Sequence, residues 1–260
     1  MATFESYDQG TPCYVELMTP DLEAAKSFYG GLFAWELADV PQGPDGIYTT
    51  VARGGASVAG MGGLPTEQSA HPAFWQVYLA VDDVDAVAAA VPAAGGTLNA
   101  GPFDVGDLGR MAEIEDPAGA RINLWQAGSR VGTSVANEPG TPTWNELMTT
   151  DLGRALEFYR TLLGITSETV PMLGGEYTLL KVGDRQIAGA MQQEAEAGAG
   201  PPPHWNVYFN VESCDDSVAR VVELGGEVLG QPFDMVGVGR MAVVTDPQGG
   251  SFSLMQDPPA

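Results

Sequence analysis

The chain carries the same text twice, 130 residues apart. Gly10-Thr11-Pro12 returns as Gly140-Thr141-Pro142, Glu16-Leu17-Met18-Thr19 as Glu146-Leu147-Met148-Thr149, and Phe28-Tyr29 as Phe158-Tyr159. Trp75 returns as Trp205, Pro102-Phe103-Asp104 as Pro232-Phe233-Asp234, Gly109-Arg110-Met111-Ala112 as Gly239-Arg240-Met241-Ala242, and Asp116-Pro117 as Asp246-Pro247. The register slips by one residue around Tyr48 and Tyr177 and recovers before Trp75 and Trp205, so an insertion and a deletion cancel. Self-similarity at a fixed period means that each copy adopts one fold, and that functional residues can be read in pairs. Two units of about 130 residues each fall within the usual range for a domain with its own core. The reading is a first module over 1–127, a Gly/Ser/Thr/Asn linker over 128–139 and a second module over 140–260.

Charge sets the next constraint. Eleven Lys plus Arg against 34 Asp plus Glu leave a formal net charge of -23. Phosphate backbones and anionic lipid surfaces are repelled by such a field, whereas a cleft that focuses it draws cations. Nucleic acid and membrane are therefore not expected as partners, although the acidity also serves plain solubility. Cys13 and Cys214 occupy non-equivalent places and have no metal or redox spacing. The first residues lack a basic stretch followed by an apolar run, and no apolar segment reaches membrane-spanning length, so a cytoplasmic protein is expected.

Within each copy the period changes from two to 3.6 and back. Residues 12 to 19 alternate as a strand, and Asp21 to Tyr29 opens a helix after Thr19-Pro20-Asp21, a capping start with acid in the first turn. Strands over Ile47 to Arg53 and Ala56 to Met61 flank a Gly54-Gly55 turn. A second round follows a Pro-rich crossing: a strand from Trp75 to Val81, a helix from Asp83 to Ala93, and strands near Thr97 to Phe103, Arg110 to Ile114 and Arg121 to Gln126. Each half reads strand, helix, then two or three strands. The crossings at 62 to 73 and 192 to 203 read either as lids or as plain connections.

A strand ending in Thr-x-Asp-Leu, a helix closing on Phe-Tyr, Val-Asp-Asp-Val-Asp before a second helix and Asp-Pro-x-Gly before the last strand resemble the vicinal-oxygen-chelate superfamily. That group includes glyoxalase I, extradiol dioxygenases and bleomycin-resistance proteins. The resemblance implies an α+β fold of four βαβββ units in two tandem modules, with curved sheets closing cup-like barrels and helices outside. It also implies a divalent metal held by His, Gln or Glu. In this sequence the positions that match those ligands are Tyr14 and Trp144, Gln76 and Asn206, and Asn123 and Ser253. None is a carboxylate or an imidazole, which a hard or borderline cation needs. No metal and no cofactor is expected, with Glu16 and Glu146 the nearest candidates for one. His71 and His204 are non-equivalent and lie in Pro-rich approaches to a strand, as loop residues.

Strand parity separates the cup face from the core face. Val15, Leu17, Val77, Leu79, Ile122 and Leu124 suit the core, which leaves Tyr14, Glu16, Met18, Gln76, Tyr78, Asn123 and Trp125 for the first cup. The second cup is Trp144, Glu146, Met148, Asn206, Tyr208, Asn210, Ser253 and Met255. Aromatic rings, methionines and amides suit a large planar molecule with a few polar handles, or equally a plain core. A buried carboxylate needs partners, and Arg110 and Arg240 are the expected ones for Glu16 and Glu146. Two functions fit. One is metal-free capture of a bulky aromatic or cationic small molecule, as in the bleomycin-resistance branch. The other is a metal-independent enzyme acting on a polyketide-like aromatic substrate, with Glu16 or Glu146 as general base. Metal-dependent glyoxalase or dioxygenase chemistry is the weakest fit. A monomer with an internal pseudo-dimer and a homodimer are both compatible with the repeat.

Overall fold

The computed structural model describes residues 2–42, 46–172, 175–193 and 201–258. Strand β1 (Ala2–Thr3) precedes the first module. That module runs β2 (Pro12–Thr19), α1 (Leu22–Phe33), β3 (Glu36–Gln42), β4 (Gly46–Arg53), β5 (Ala56–Gly63), β6 (Phe74–Ala80), α2 (Val84–Ala90), β7 (Thr97–Val105), β8 (Gly109–Glu115) and β9 (Arg121–Ala127). Strand β10 (Val135–Ala136) pairs with β1. The second module is β11 (Pro142–Thr149), α3 (Leu152–Leu163), β12 (Thr166–Met172), β13 (Gly175–Val182), β14 (Arg185–Gln192), β15 (His204–Asn210), α4 (Cys214–Glu223), β16 (Glu227–Val228), β17 (Phe233–Met235), β18 (Gly239–Thr245) and β19 (Ser251–Gln256).

Two βαβββ units join side by side in each module through an antiparallel seam, β2 with β6 and β11 with β15. The first sheet has the order β3-β4-β5-β2-β6-β9-β8-β7, and the second repeats it apart from its divided last strand. The helix starts form as the sequence predicts. Asp21 and Asp151 accept the backbone N–H of Ala24 and Arg154 at 3.0 and 3.1 Å, which satisfies donors the first turn would otherwise leave free. Helix α2 is shorter than expected, ending at Ala90. Strands β3 and β12, which the sequence does not announce, are almost wholly exposed edges.

The modules share one core. Helix α1 packs against α4 and α2 against α3, so each module covers the other. Tyr29 donates to Asp246 Oδ2 at 3.0 Å and accepts from Trp75 Nε1 at 3.0 Å. The pseudo-symmetric relay is Trp205 to Tyr159 at 3.0 Å and Tyr159 to Asp116 at 3.2 Å. Both aspartates also cap their own Asp-Pro-x-Gly turns, accepting from Ala118 and Ala120 and from Gln248 and Gly250. Trp75 and Trp205 are thus interface residues. Packing across the pseudo-twofold is complementary in volume. Phe33 and Trp35 of the first module meet Phe209 and Phe252 of the second, where the equivalent positions hold Leu163, Ile165, Leu79 and Ile122.

The crossing from 62 to 73 is pinned at its end, with Ala73 N–H donating to Gln248 O of the second module at 2.9 Å. Residues 194–200 of the second crossing lie outside the described residues. The linker is tied down as well: Thr133 N–H donates to Cys13 O and Ser134 N–H to Ser57 O. Both cysteines are buried and unpaired by disulfide. No helix among the described residues is long and apolar enough to cross a membrane.

Candidate functional site

Alternation in β2 sends Val15 and Leu17 into the shared core and turns Tyr14, Glu16 and Met18 to the opposite face. Register then assembles the first cup: Glu16 faces Gln76 on one side and Gly60 on the other, Tyr14 faces Tyr78, and Tyr78 faces Asn123. Tyr78 Oη donates to Glu16 Oε2 at 2.6 Å. Tyr48, from β4, meets Tyr14 Oη at 3.1 Å and lies near enough to the Glu16 carboxyl to pull its pKa down. The second cup repeats the arrangement. Tyr208 Oη donates to Glu146 Oε2 at 2.9 Å, Tyr177 lies near enough to the same carboxyl to pull its pKa down, and Trp144 Nε1 donates to Tyr177 Oη at 3.0 Å.

Tyr48 and Tyr177 are the residues that strand reading missed. Their places are bought by glycine: a Cβ at Gly60 would stand 1.8 Å from Tyr48 Oη, and one at Gly189 1.7 Å from Tyr177 Oη. The Tyr48/Gly60 and Tyr177/Gly189 pairs keep one spacing inside the slipped stretch of the repeat, and that is the signal the sequence offered.

Arg110 and Arg240 do not partner these carboxylates. Arg110 is held by Asp85 and Asp104 at 2.9 Å each, and Arg240 by Asp215 at 2.8 Å and Asp234 at 3.2 Å. The guanidinium of each reaches acids on the adjoining helix and strand, so tyrosine hydroxyls are left to serve the glutamates. Met18 and Met148 line the cup faces half-buried. Tyr14, Tyr78 and Trp125 pack on one another with Cys13 and Ala80, forming a second small apolar cluster closed by Tyr7. Asn206 Nδ2 donates to Ser253 Oγ at 2.8 Å, and Asn210 sits beside Met255 in register. A cavity of about 390 Å³ opens at the junction of the modules, with Tyr14, Trp144 and Met255 in its wall. His204 is the first residue of β15 and not a loop residue, its Nδ1 2.8 Å from Pro202 O, while His71 is exposed.

Burial pushes the Glu16 and Glu146 carboxyls above the ordinary carboxylate range, against the pull of the tyrosine hydrogen bonds. The buried tyrosines are raised in turn, by burial first and then by the neighbouring glutamate charge for Tyr78, Tyr48, Tyr177 and Tyr208. A raised folded pKa means that the folded state favours the protonated acid. The stability Glu146 contributes is therefore complete below its unfolded value of about 4.3 and is lost as pH rises through the folded value. In urea titrations from pH 4 upward, the stability of Glu146→Gln relative to wild type is expected to climb across that window and then level. A relative stability that falls with rising pH would contradict the assignment.

Each cup offers one carboxylate, already receiving a tyrosine hydroxyl, with amides, a serine and aromatics around it. Among the described residues no group of three His, Cys, Asp or Glu is placed to hold a metal. This set does not fit a dication, which requires several anionic or imidazole donors to offset its dehydration.

Two curled cups of eight and nine strands joined through a common core, each built on a β2-β6 type seam, define a tandem member of one protein class. The chain belongs to the glyoxalase/bleomycin resistance protein/dioxygenase superfamily, whose signature matches residues 13–124, and a glyoxalase-like domain matches residues 145–255. It is 42% identical over 256 residues to the "Putative glyoxylase CFP32" of Mycobacterium tuberculosis, covering 97% of each chain. It is 38% identical over 259 residues to the anthracycline biosynthesis protein DnrV of Streptomyces peucetius, covering 95% of this chain and 93% of that one. Among solved structures it resembles the Mn(II)-bound glyoxalase from Novosphingobium aromaticivorans (TM-score 0.66, 18% identity, 96% of this chain and 83% of that one). It also resembles the 2,3-dioxygenase LapB from Pseudomonas sp. KL28 (TM-score 0.66, 14% identity, 97% and 94%). These two likenesses concern the fold.

Proposed function

We propose that this protein captures a bulky, planar aromatic or cationic small molecule in its cups, without a metal ion, for sequestration, resistance or biosynthetic support. One observation carries the reading: in both copies a lone glutamate, hydrogen-bonded by one tyrosine hydroxyl with a second tyrosine nearby, stands in a wall of aromatics, methionines and amides. Such a wall offers ring faces for stacking and a few fixed polar contacts for orientation. The kinship with an anthracycline biosynthesis protein supports a polycyclic guest. The net charge of -23 favours a cationic guest over an anionic one, with an attraction that weakens as salt is added.

The same glutamate supports a second reading. A carboxyl raised by burial and flanked by tyrosine hydroxyls has the parts of a general base with donors to steady an enolate, as in a metal-independent enzyme acting on a polyketide-like aromatic substrate. Titration of an anthracycline into the protein is expected to quench tryptophan fluorescence saturably, with the compound recovered unchanged by mass spectrometry. Product that forms in wild type and not in Glu146→Gln, at unaltered affinity, would move the assignment to the enzyme. Near-stoichiometric Zn, Mn, Ni or Fe in the purified protein would overturn both.

A further inference from the structure

The duplicate supplies an internal control for the polar groups of each cup. At the positions of Asn206 and Ser253, which bond each other at 2.8 Å, the first module carries Gln76 and Asn123. Serine is short enough to leave room for the asparagine amide opposite, and the pair closes on itself. Two amides in the first cup do not. Asn123 is 1% exposed, yet neither its Nδ2 nor its Oδ1 has a hydrogen-bond partner. Asn145, Gln193, Asn210 and Gln248 each have a single orphaned atom of this kind, whereas Asn123 has both heads unpaired. An amide buried with no partner forfeits hydrogen bonds it would make in water, so a position that holds one points to an occupant.

The placement says what the occupant looks like. Asn123 lies on the cup face between Tyr78 of β6 and Glu113 of β8, one cup-facing pair along from Glu16 and Gln76. Met18, Tyr48 and Gln76 of the same cup are half-buried. An amide head presents one donor and one acceptor side by side in a plane. Its complement is a flat group with an acceptor and a donor on one edge, such as a lactam or a primary carboxamide on a ring.

We infer that the first cup, and not the second, is the one that reads its guest, with the Asn123 amide pairing two-point to a carbonyl and an adjacent N–H or O–H on the edge of a planar aromatic molecule. This rests on the capture reading above and deepens it, by choosing the cup and the recognised edge. In the second cup Asn206 is closed on Ser253, and Asn210 leaves open a donor alone, which gives no two-point pair.

Phenanthridinone, a planar tricyclic lactam, and its N-methyl derivative, which keeps the ring and carbonyl and loses the donor, are the probes. Wild type is expected to bind one phenanthridinone per chain and to bind the N-methyl compound at least tenfold more weakly. The double variant Gln76→Asn/Asn123→Ser, which writes the second cup's pair into the first, is expected to erase that preference. Equal affinity of wild type for the two compounds would overturn the edge recognition while leaving planar capture intact. Binding of neither would overturn both. Two equivalents per chain would overturn the choice of one cup. Asn123→Leu gives a ligand-free check: removal of an unpaired buried amide is expected to raise the melting temperature. A lower melting temperature would show that buried water already satisfies the amide, and would overturn the proposal.

Discussion

Asp246→Ala is expected to destabilise the whole chain by about 3–5 kcal/mol, in a single transition that takes both modules. The carboxylate accepts from Tyr29 Oη at 3.0 Å and from the backbone of Gln248 and Gly250 at 2.8 Å each, and alanine would leave all three donors buried and unpaired. Tyr29 belongs to the first module and Asp246 to the second, so the loss falls on the seam between them. Tyr29→Phe is the milder control at about 1–2 kcal/mol, since it strips one bond from Asp246 and one from Trp75 while keeping the ring in place. Urea unfolding followed by tryptophan fluorescence and by circular dichroism measures both. Two separable transitions, or a loss below 1 kcal/mol for Asp246→Ala, would show that the modules are held together elsewhere.

The second large effect belongs to a methyl group. Gly189→Ala would place a carbon 1.7 Å from Tyr177 Oη and 2.4 Å from its Cζ, and Gly60→Ala would place one 1.8 Å from Tyr48 Oη and 2.6 Å from Tyr14 Oη. These rings cannot stay where they are. Overpacking of this kind costs about 1–3 kcal/mol, and the tyrosine leaves its glutamate. Affinity for a planar guest is expected to fall at least tenfold in Gly60→Ala. Adding Tyr48→Ala to Gly60→Ala is expected to restore much of the stability without restoring affinity, because the space returns and the hydroxyl does not. Full affinity in Gly60→Ala, read by fluorescence titration, would remove Tyr48 from the site.

Much of the scaffold was legible because it follows from local rules. Asp21 and Asp151 cap where acceptors near a helix start belong, and Val15, Leu17, Ile122 and Leu124 are buried because period two puts them on one face. Strands β3 and β12 were not legible, since an edge strand with both faces in water carries no alternation to read. Arg110 was misplaced for a related reason. Parity fixes the face of a strand residue but not how far a long side chain travels, and its guanidinium found Asp85 on the neighbouring helix. Tyr48 was hidden by the slipped register, although Gly60 opposite marked the room it needs.

By itself the sequence determined the duplication, the βαβββ grammar of each half and the cup-facing residues, because repeats, caps and two-residue alternation are properties of neighbours along the chain. Only the tertiary structure decided that tyrosines and not arginines hold Glu16 and Glu146. It alone showed that Tyr29 and Tyr159 lock the modules through Asp246 and Asp116, and that Asn123 is orphaned where Asn206 is not. Those outcomes depend on a few tenths of an ångström between side chains far apart in sequence, where hydrogen-bond reach and van der Waals contact choose among partners that local pattern leaves equal.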